Sequence, residues 1–193
     1  MEVFFLMFSA MLCDNFVLTK LFGIESLFAN SSKPSAALIN GISVWLLTLF
    51  SGAVSYALYS FVLIPLGIGY FAIIISVLVI SACTVLAGKL GSAVSAKLGR
   101  RVAAHMPMVT TNCVVLGSVM LACEKSLSYG KAVALFFAAG LGFAIAISVF
   151  ASVREKMEFS ECPACFRGIP ILLVAAALCA LAFSGFAGVS FGA

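Results

Sequence analysis

Charge is what this sequence has least of. Eleven basic and seven acidic side chains make up 9% of its 193 residues, against 64% hydrophobic side chains and a mean hydropathy of +1.24. A soluble domain typically carries about 25% charged residues, so one water-soluble core cannot hide this much apolar surface, and a soluble globular protein is excluded. Histidine is nearly absent, with His105 alone. There is no Gly-rich dinucleotide loop, no phosphate-binding loop and no Ser/His/Asp constellation, which removes the ordinary soluble catalytic domains. The slight basic excess, a net +4 with pI near 8.7, is a matter of loop charges and not a nucleic-acid surface.

What is present is long uncharged runs. Ser35 to Gly88, Val102 to Ala122, Ala132 to Val153 and Gly168 to Ala193 hold no Asp, Glu, Lys or Arg. A spanning helix needs about 20 apolar residues, so the first run accommodates two spans and the others one each. With the apolar N-terminus the expectation is an all-α integral membrane protein of six transmembrane helices, near 3–28, 36–63, 69–88, 103–122, 131–153 and 169–190. The stretch "PLGIG" (Pro65 to Gly69) reads as the tight turn between the second and third. The N-terminal stretch has no basic n-region and runs on into Asp14 and Asn15 without a small-residue cleavage pattern, so it is expected to be retained.

Basic residues set the orientation. With the termini on one side, the loops after spans one, three and five collect Lys33, then Lys89, Lys97, Arg100 and Arg101, then Arg154, Lys156 and Arg167, eight of the eleven. Lys125 and Lys131 lie opposite, and Lys20 falls within the first segment. The positive-inside rule then places both termini outside the cytoplasm of a bacterial or archaeal cytoplasmic membrane.

One stretch resists a simple span. "MPMVTTNCVVLG" (Met106 to Gly117) brings Pro107, Thr110, Thr111, Asn112 and Cys113 into the fourth segment. Aligning Asp14-Asn15-Phe16-Val17-Leu18 with Thr111-Asn112-Cys113-Val114-Val115 gives an offset of 97, about half the chain. Each copy opens a three-span half, and an odd number of spans makes the second half insert upside down. The chain therefore reads as a single membrane domain, 1–193, of two inverted repeats over approximately 1–95 and 96–193. Such repeats place interrupted helices near the midplane, where unwound backbone must be buried in protein or line a cavity. Pro107 removes a backbone donor, Thr110, Thr111 and Asn112 can re-satisfy freed groups, and Cys113 is then held at depth beside the region around Asn15. The other reading is that these small polar residues only hold helices together.

Seven cysteines are present. Cys83 and Cys179 read as packing residues. The "CPAC" stretch (Cys162 to Cys165) sits in a basic loop as an isolated C-x-x-C, a redox or metal pair without a second pair to complete a zinc site. Asp14 lies beside the first expected break, where its carboxylate either assists a cation or caps a half-helix. Lys20 reads as reaching toward the interface.

"DNFVL" near the start, "MPMVTTNCVVLG" in the fourth segment, "REKM" with "CFRGIPILL" after the fifth and "ALAFSGFAG" at the end resemble the paired membrane subunits of the Rnf ferredoxin:NAD oxidoreductase and of the sodium-pumping NADH:quinone oxidoreductase (Nqr). "TTNC" before "VVLG", and "FRG", are closer to the Rnf branch than to the Nqr (NqrE-like) one. The resemblance covers essentially the whole chain. It implies a subunit that is not catalytic alone and that packs with a homologous, oppositely inserted membrane subunit of the RnfE or RnfD kind among other complex subunits. The two would share an intramembrane iron–sulfur cluster and carry electrons between ferredoxin- or NAD-side and flavin-bearing subunits, coupled to Na⁺ or H⁺ movement. The cofactor-binding positions it points to are Cys113, as the metal ligand, with Thr111, Asn112, Asn15 and the residue at position 25; Asp14 is the candidate for the ion path.

Position 25 departs from that pattern. Relatives of this kind commonly read "GLCPF" where this chain reads "GIESL" (Gly23 to Leu27), so Glu25 stands where a cysteine is expected. Glu25 ligates through oxygen, or the cluster is altered or missing, or Cys13 substitutes, though Cys13 lies about three helical turns earlier. Two other functions stay open on the residues alone: a stand-alone secondary transporter, which the repeat architecture by itself would favour, and a structural scaffold in which Cys113 is dispensable.

Overall fold

The computed structural model describes residues 2–13, 15–31, 34–94, 112–157, 163 and 167–188, all helix and turn. Helix α1 (Glu2–Phe8) is prolonged by a wider π turn over Ser9–Cys13. Then the first segment breaks: residues 15–23 run as turns, and α2 (Ile24–Asn30) restarts the helix. An uninterrupted span over 3–28 is thus not what forms, in keeping with the interruption expected there.

Three long helices match the charge-free runs. Pro34–Leu63, Gly69–Lys89 and Tyr129–Met157 are each long and apolar enough to cross a bilayer. The first is α3 (Pro34–Leu58) with its π turn Tyr59–Leu63; Pro34 starts it where a missing N–H costs nothing. The turn at Ile64 to Gly67 follows as expected, with Gly67 at φ 72°. Next come α4 (Ala72–Val94), α5 (Cys113–Glu124), α6 (Tyr129–Met157) and α7 (Ile169–Ser184), the last ending in a 3₁₀ turn, Gly185–Gly188. Three apolar helices are shorter, Val3–Cys13, Cys113–Glu124 and Ile169–Ser184. At 1.5 Å per residue the 12 residues of α5 reach about 18 Å, well short of a bilayer core of about 30 Å. The expected first half of the fourth span, with His105, Pro107, Thr110 and Thr111, lies outside the described residues, as do Asp14, Lys33, Cys162 and Cys165.

The centre of the bundle is the α3–α6 pair, the most extensive helix contact. Small residues let the two backbones approach, as membrane helices require when lipid is as apolar as leucine. A side chain at Gly41 would meet the Ala144 backbone at 3.0 Å; one at Gly52 would strike the Phe136 ring, and one at Gly140 the Trp45 ring and backbone. Phe136, Phe143, Ile147 and Phe150 of α6 are fully buried there. Several serines and threonines inside the helices donate their hydroxyls to their own backbone, as in Thr48 to Val44 at 2.7 Å and Ser148 to Ala144 at 2.6 Å, a pairing available within any helix. Outward-facing positions such as Ile73, Leu78, Leu86, Leu173 and Leu181 are exposed and apolar, a surface made for lipid. Cys83, Cys123 and Cys179 are half-buried and packed against the core.

Candidate functional site

Two asparagines, 97 positions apart, organise the first interruption and the start of α5. Asn15 is wholly buried, and Asn112 is 2% exposed. The Asn15 Oδ1 accepts from the backbone N–H of Val17 at 2.9 Å and of Leu18 at 3.3 Å. The Asn112 Oδ1 likewise accepts from Val114 N–H at 3.0 Å, capping α5. Each side chain therefore pairs backbone N–H groups that have no partner of their own, Asn15 within the first break and Asn112 at the start of α5.

Their amide groups then reach across the molecule. The Asn15 Nδ2 donates to the carbonyl of Met11 at 2.9 Å and of Gly142 at 3.1 Å, tying the end of the first half-helix to the middle of α6. The Asn112 Nδ2 donates to the Ser26 hydroxyl at 3.3 Å, and that hydroxyl donates to the Gly23 carbonyl at 3.1 Å. The start of α5 is thereby joined to the start of α2. Gly23 is at φ 76°, a conformation glycine adopts freely, and a Cβ there would lie 2.8 Å from the Asn112 Oδ1.

This join brings Glu25 and Cys113 together. Glu25 lies in the first turn of α2, Cys113 is the first residue of α5, both are exposed, and the Glu25 carboxylate is near enough for its charge to act on the thiol. Their exposure places both donors on a surface rather than in an enclosed cavity. The expected neighbour of Cys113 is the region around Asn15; the contacts of the adjacent Asn112 run to Gly23 and Ser26, further along the same broken segment. Eight residues lie between Asn15 and the restart at Ile24, so Asn15 serves the exit of one half-helix while Gly23 lies at the entry of the next. Cys13 is turned elsewhere, its Sγ 3.2 Å from the Phe186 carbonyl.

Two further contacts hold this region and had no signal in the sequence. Arg154, in the last turn of α6, donates from Nη1 to the Phe28 carbonyl at 2.8 Å and the Ser31 hydroxyl at 2.9 Å, so it pins the far end of α2. Lys20 lies half-buried in the break with its ammonium 5.4 Å from the centre of the buried Phe16 ring, within cation–π range.

The donors present can be weighed against an iron–sulfur group. This chain brings one thiol and one carboxylate to the join, and no group of three or more His, Cys, Asp or Glu able to hold a metal occurs among the described residues. Soft thiolates suit such clusters far better than carboxylate oxygen. An all-thiolate cluster drawing two cysteines from this chain does not fit these residues; a centre taking one sulfur and one oxygen from it is the composition they allow.

The family model for the Rnf-Nqr subunit, a membrane protein, matches residues 3–190. The A-type subunit of the Na⁺-translocating ferredoxin:NAD⁺ oxidoreductase complex of Acetobacterium woodii is 33% identical over 192 residues, covering 100% of both chains. The A-type subunits of the ion-translocating oxidoreductase complexes of Edwardsiella ictaluri and Vibrio cholerae are each 32% identical, covering 95% and 97% of both chains.

Proposed function

The chain belongs to the Rnf-Nqr family of membrane subunits, and we propose that it is the A-type subunit of an Rnf-like, ion-translocating electron-transport complex, inactive alone. The observation that carries this reading is the join of the restarted first segment, Gly23 to Ser26, to the start of α5 at Asn112 and Cys113. A broken helix leaves backbone groups unpaired, which a membrane tolerates only where protein covers them or a function requires it. Asn15 and Asn112 do the covering, and what the join presents on the surface is the Glu25 carboxylate and the Cys113 thiol.

The exposure of both groups suits a shared site, completed by a homologous subunit inserted the opposite way. Inverted repeats within the chain are supported by matching element starts at the 97-residue offset: Pro34 of α3 against Lys131 near the start of α6, and Ala72 of α4 against Ile169 of α7. Glu25 and Cys113 are this chain's donors to a redox centre of mixed sulfur and oxygen ligation. Such a centre, when bound, accepts and releases single electrons. The chain's own residues do the positioning: Asn112 fixes the first turn of α5, Ser26 and Gly23 bring α2 against it, and Arg154 holds the other end of α2. Reactions with nucleotide and flavin fall to the other subunits. Electron transfer is coupled to Na⁺ or H⁺ movement across a cytoplasmic membrane, with both termini on the far side from the basic loops.

Purification through a tag on this chain tests the reading. It should bring down a multi-subunit complex that, in liposomes, couples ferredoxin oxidation to cation uptake, while the isolated chain does neither. Substrate transport by the isolated chain would favour the secondary-transporter alternative.

A further inference from the structure

A second polar feature lies away from the join. Helix α3 buries Asn40, Thr48, Ser51 and Ser55, each 1% exposed or less. At 100° per residue they occupy an arc of about 80°, beside the Gly41 and Gly52 line that meets α6. Helix α4 packs on α3 and α5, and its narrow buried face contributes Ser76 and Thr84; α5, which also packs on α3, contributes Ser118. The hydroxyls of Thr48, Ser51, Thr84 and Ser118 donate along their own helices at 2.6–2.8 Å, which leaves oxygen lone pairs available to the interior.

Both polar atoms of Asn40, and the Ser55 hydroxyl, have no hydrogen-bond partner among the described residues. A buried polar group without a partner costs about 1–3 kcal/mol, and leucine would fill the Asn40 position without that cost. Simple helix gluing does not explain these residues, because among the described residues they bond to no neighbouring helix. Nor is the feature general to the fold: at the 97-residue offset Asn40 corresponds to Phe137 and Thr48 to Ile145, and the buried face of α6 holds only Ala, Gly, Leu, Phe and Ile.

We propose that this face of α3, closed by α4 and α5, is a water-lined path through which the complex moves its monovalent cation. Water both donates and accepts, so it satisfies the Asn40 amide completely, whereas a bare cation would leave Nδ2 unpaired. The seven side chains are all neutral, so the path offers oxygen ligands for passage and no counter-charge for tight storage. From Asn40 to Ser55 the rise is about 22 Å, most of a hydrocarbon core of about 30 Å. The inference rests on the ion-translocating reading above.

The test uses the whole complex in liposomes, with ²²Na⁺ uptake and an internal pH dye as separate arms and electron transfer measured in parallel. Asn40→Leu should raise the thermal stability of the complex while lowering uptake of the transported cation about tenfold or more, and Asn40→Ser should restore a substantial part of it. Ser55→Ala should lower the same arm, and it decides the matter if Asn40→Leu fails to assemble. Uptake at the wild-type level in an assembled Asn40→Leu complex, or in Ser55→Ala when the former does not assemble, overturns the path. A wild-type complex that transports neither ion would instead overturn the translocase reading itself.

Discussion

The Asn112 amide donates to the Ser26 hydroxyl at 3.3 Å across 86 residues of sequence, so the cap of one helix start is also the strut of another. Asn112→Ala removes both roles and should destabilise the fold by about 1–3 kcal/mol. Asn112→Asp keeps an acceptor for the Val114 N–H but loses the donor to Ser26. It should therefore retain more stability than the alanine variant in detergent melting curves, yet still alter the Glu25–Cys113 surface. Equal stability of Asn112→Ala and wild type would contradict the strut.

Gly23→Ala confronts two obstacles at once. The backbone there is left-handed at φ 76°, and the new Cβ would stand 2.8 Å from the Asn112 Oδ1, 3.0 Å from Val114 and 3.1 Å from Phe143. Left-handed strain and overpacking each cost on the order of 1–3 kcal/mol. The expected result is poor assembly, measured as the yield of complex per membrane. By contrast, Gly130→Ala, where a Cβ meets nothing within 4 Å, should assemble normally.

Arg154 was legible in the sequence only as a charge that sets orientation. Its contacts with Phe28 and Ser31 depend on tertiary packing that brings the end of α6 to the end of α2, and no local pattern announces that. Arg154→Ala should speed amide exchange over residues 24–31 by at least about tenfold, since hydrogen bonds to a charged group contribute about 1.5–3 kcal/mol. Exchange elsewhere in α3 and α6 should stay slow.

The long helices were legible because charge is excluded from lipid: Pro34–Leu63, Gly69–Lys89 and Tyr129–Met157 fall on the charge-free runs to within a few residues. The first break and the start of α5 were legible because asparagine recurs at the 97-residue offset inside apolar sequence. The partners of these two points were not. Helices that are apolar nearly all round give little signal of which face meets which neighbour, so the contact of Asn112 with Ser26, and the polar face shared by α3, α4 and α5, had to come from packing.

The proposed orientation rests on the eight-to-two distribution of basic residues between the two sides. A reporter active only in the cytoplasm should be silent after Ala193 and bright when inserted in the basic stretch at residues 97–101. The reverse pattern would overturn both the orientation and the inverted placement of the two halves.

The most direct measurement is iron and acid-labile sulfide in the purified complex, wild type beside Cys113→Ser and Glu25→Cys. Serine keeps the volume of cysteine but is a much poorer ligand for a soft-ligand cluster. Cys113→Ser should thus abolish or strongly alter the intramembrane iron while assembly persists, and Glu25→Cys should raise iron content or shift its visible spectrum. Iron, spectrum and turnover all unchanged in Cys113→Ser would contradict a redox centre at this join and leave Cys113 as a small side chain packed at the start of α5.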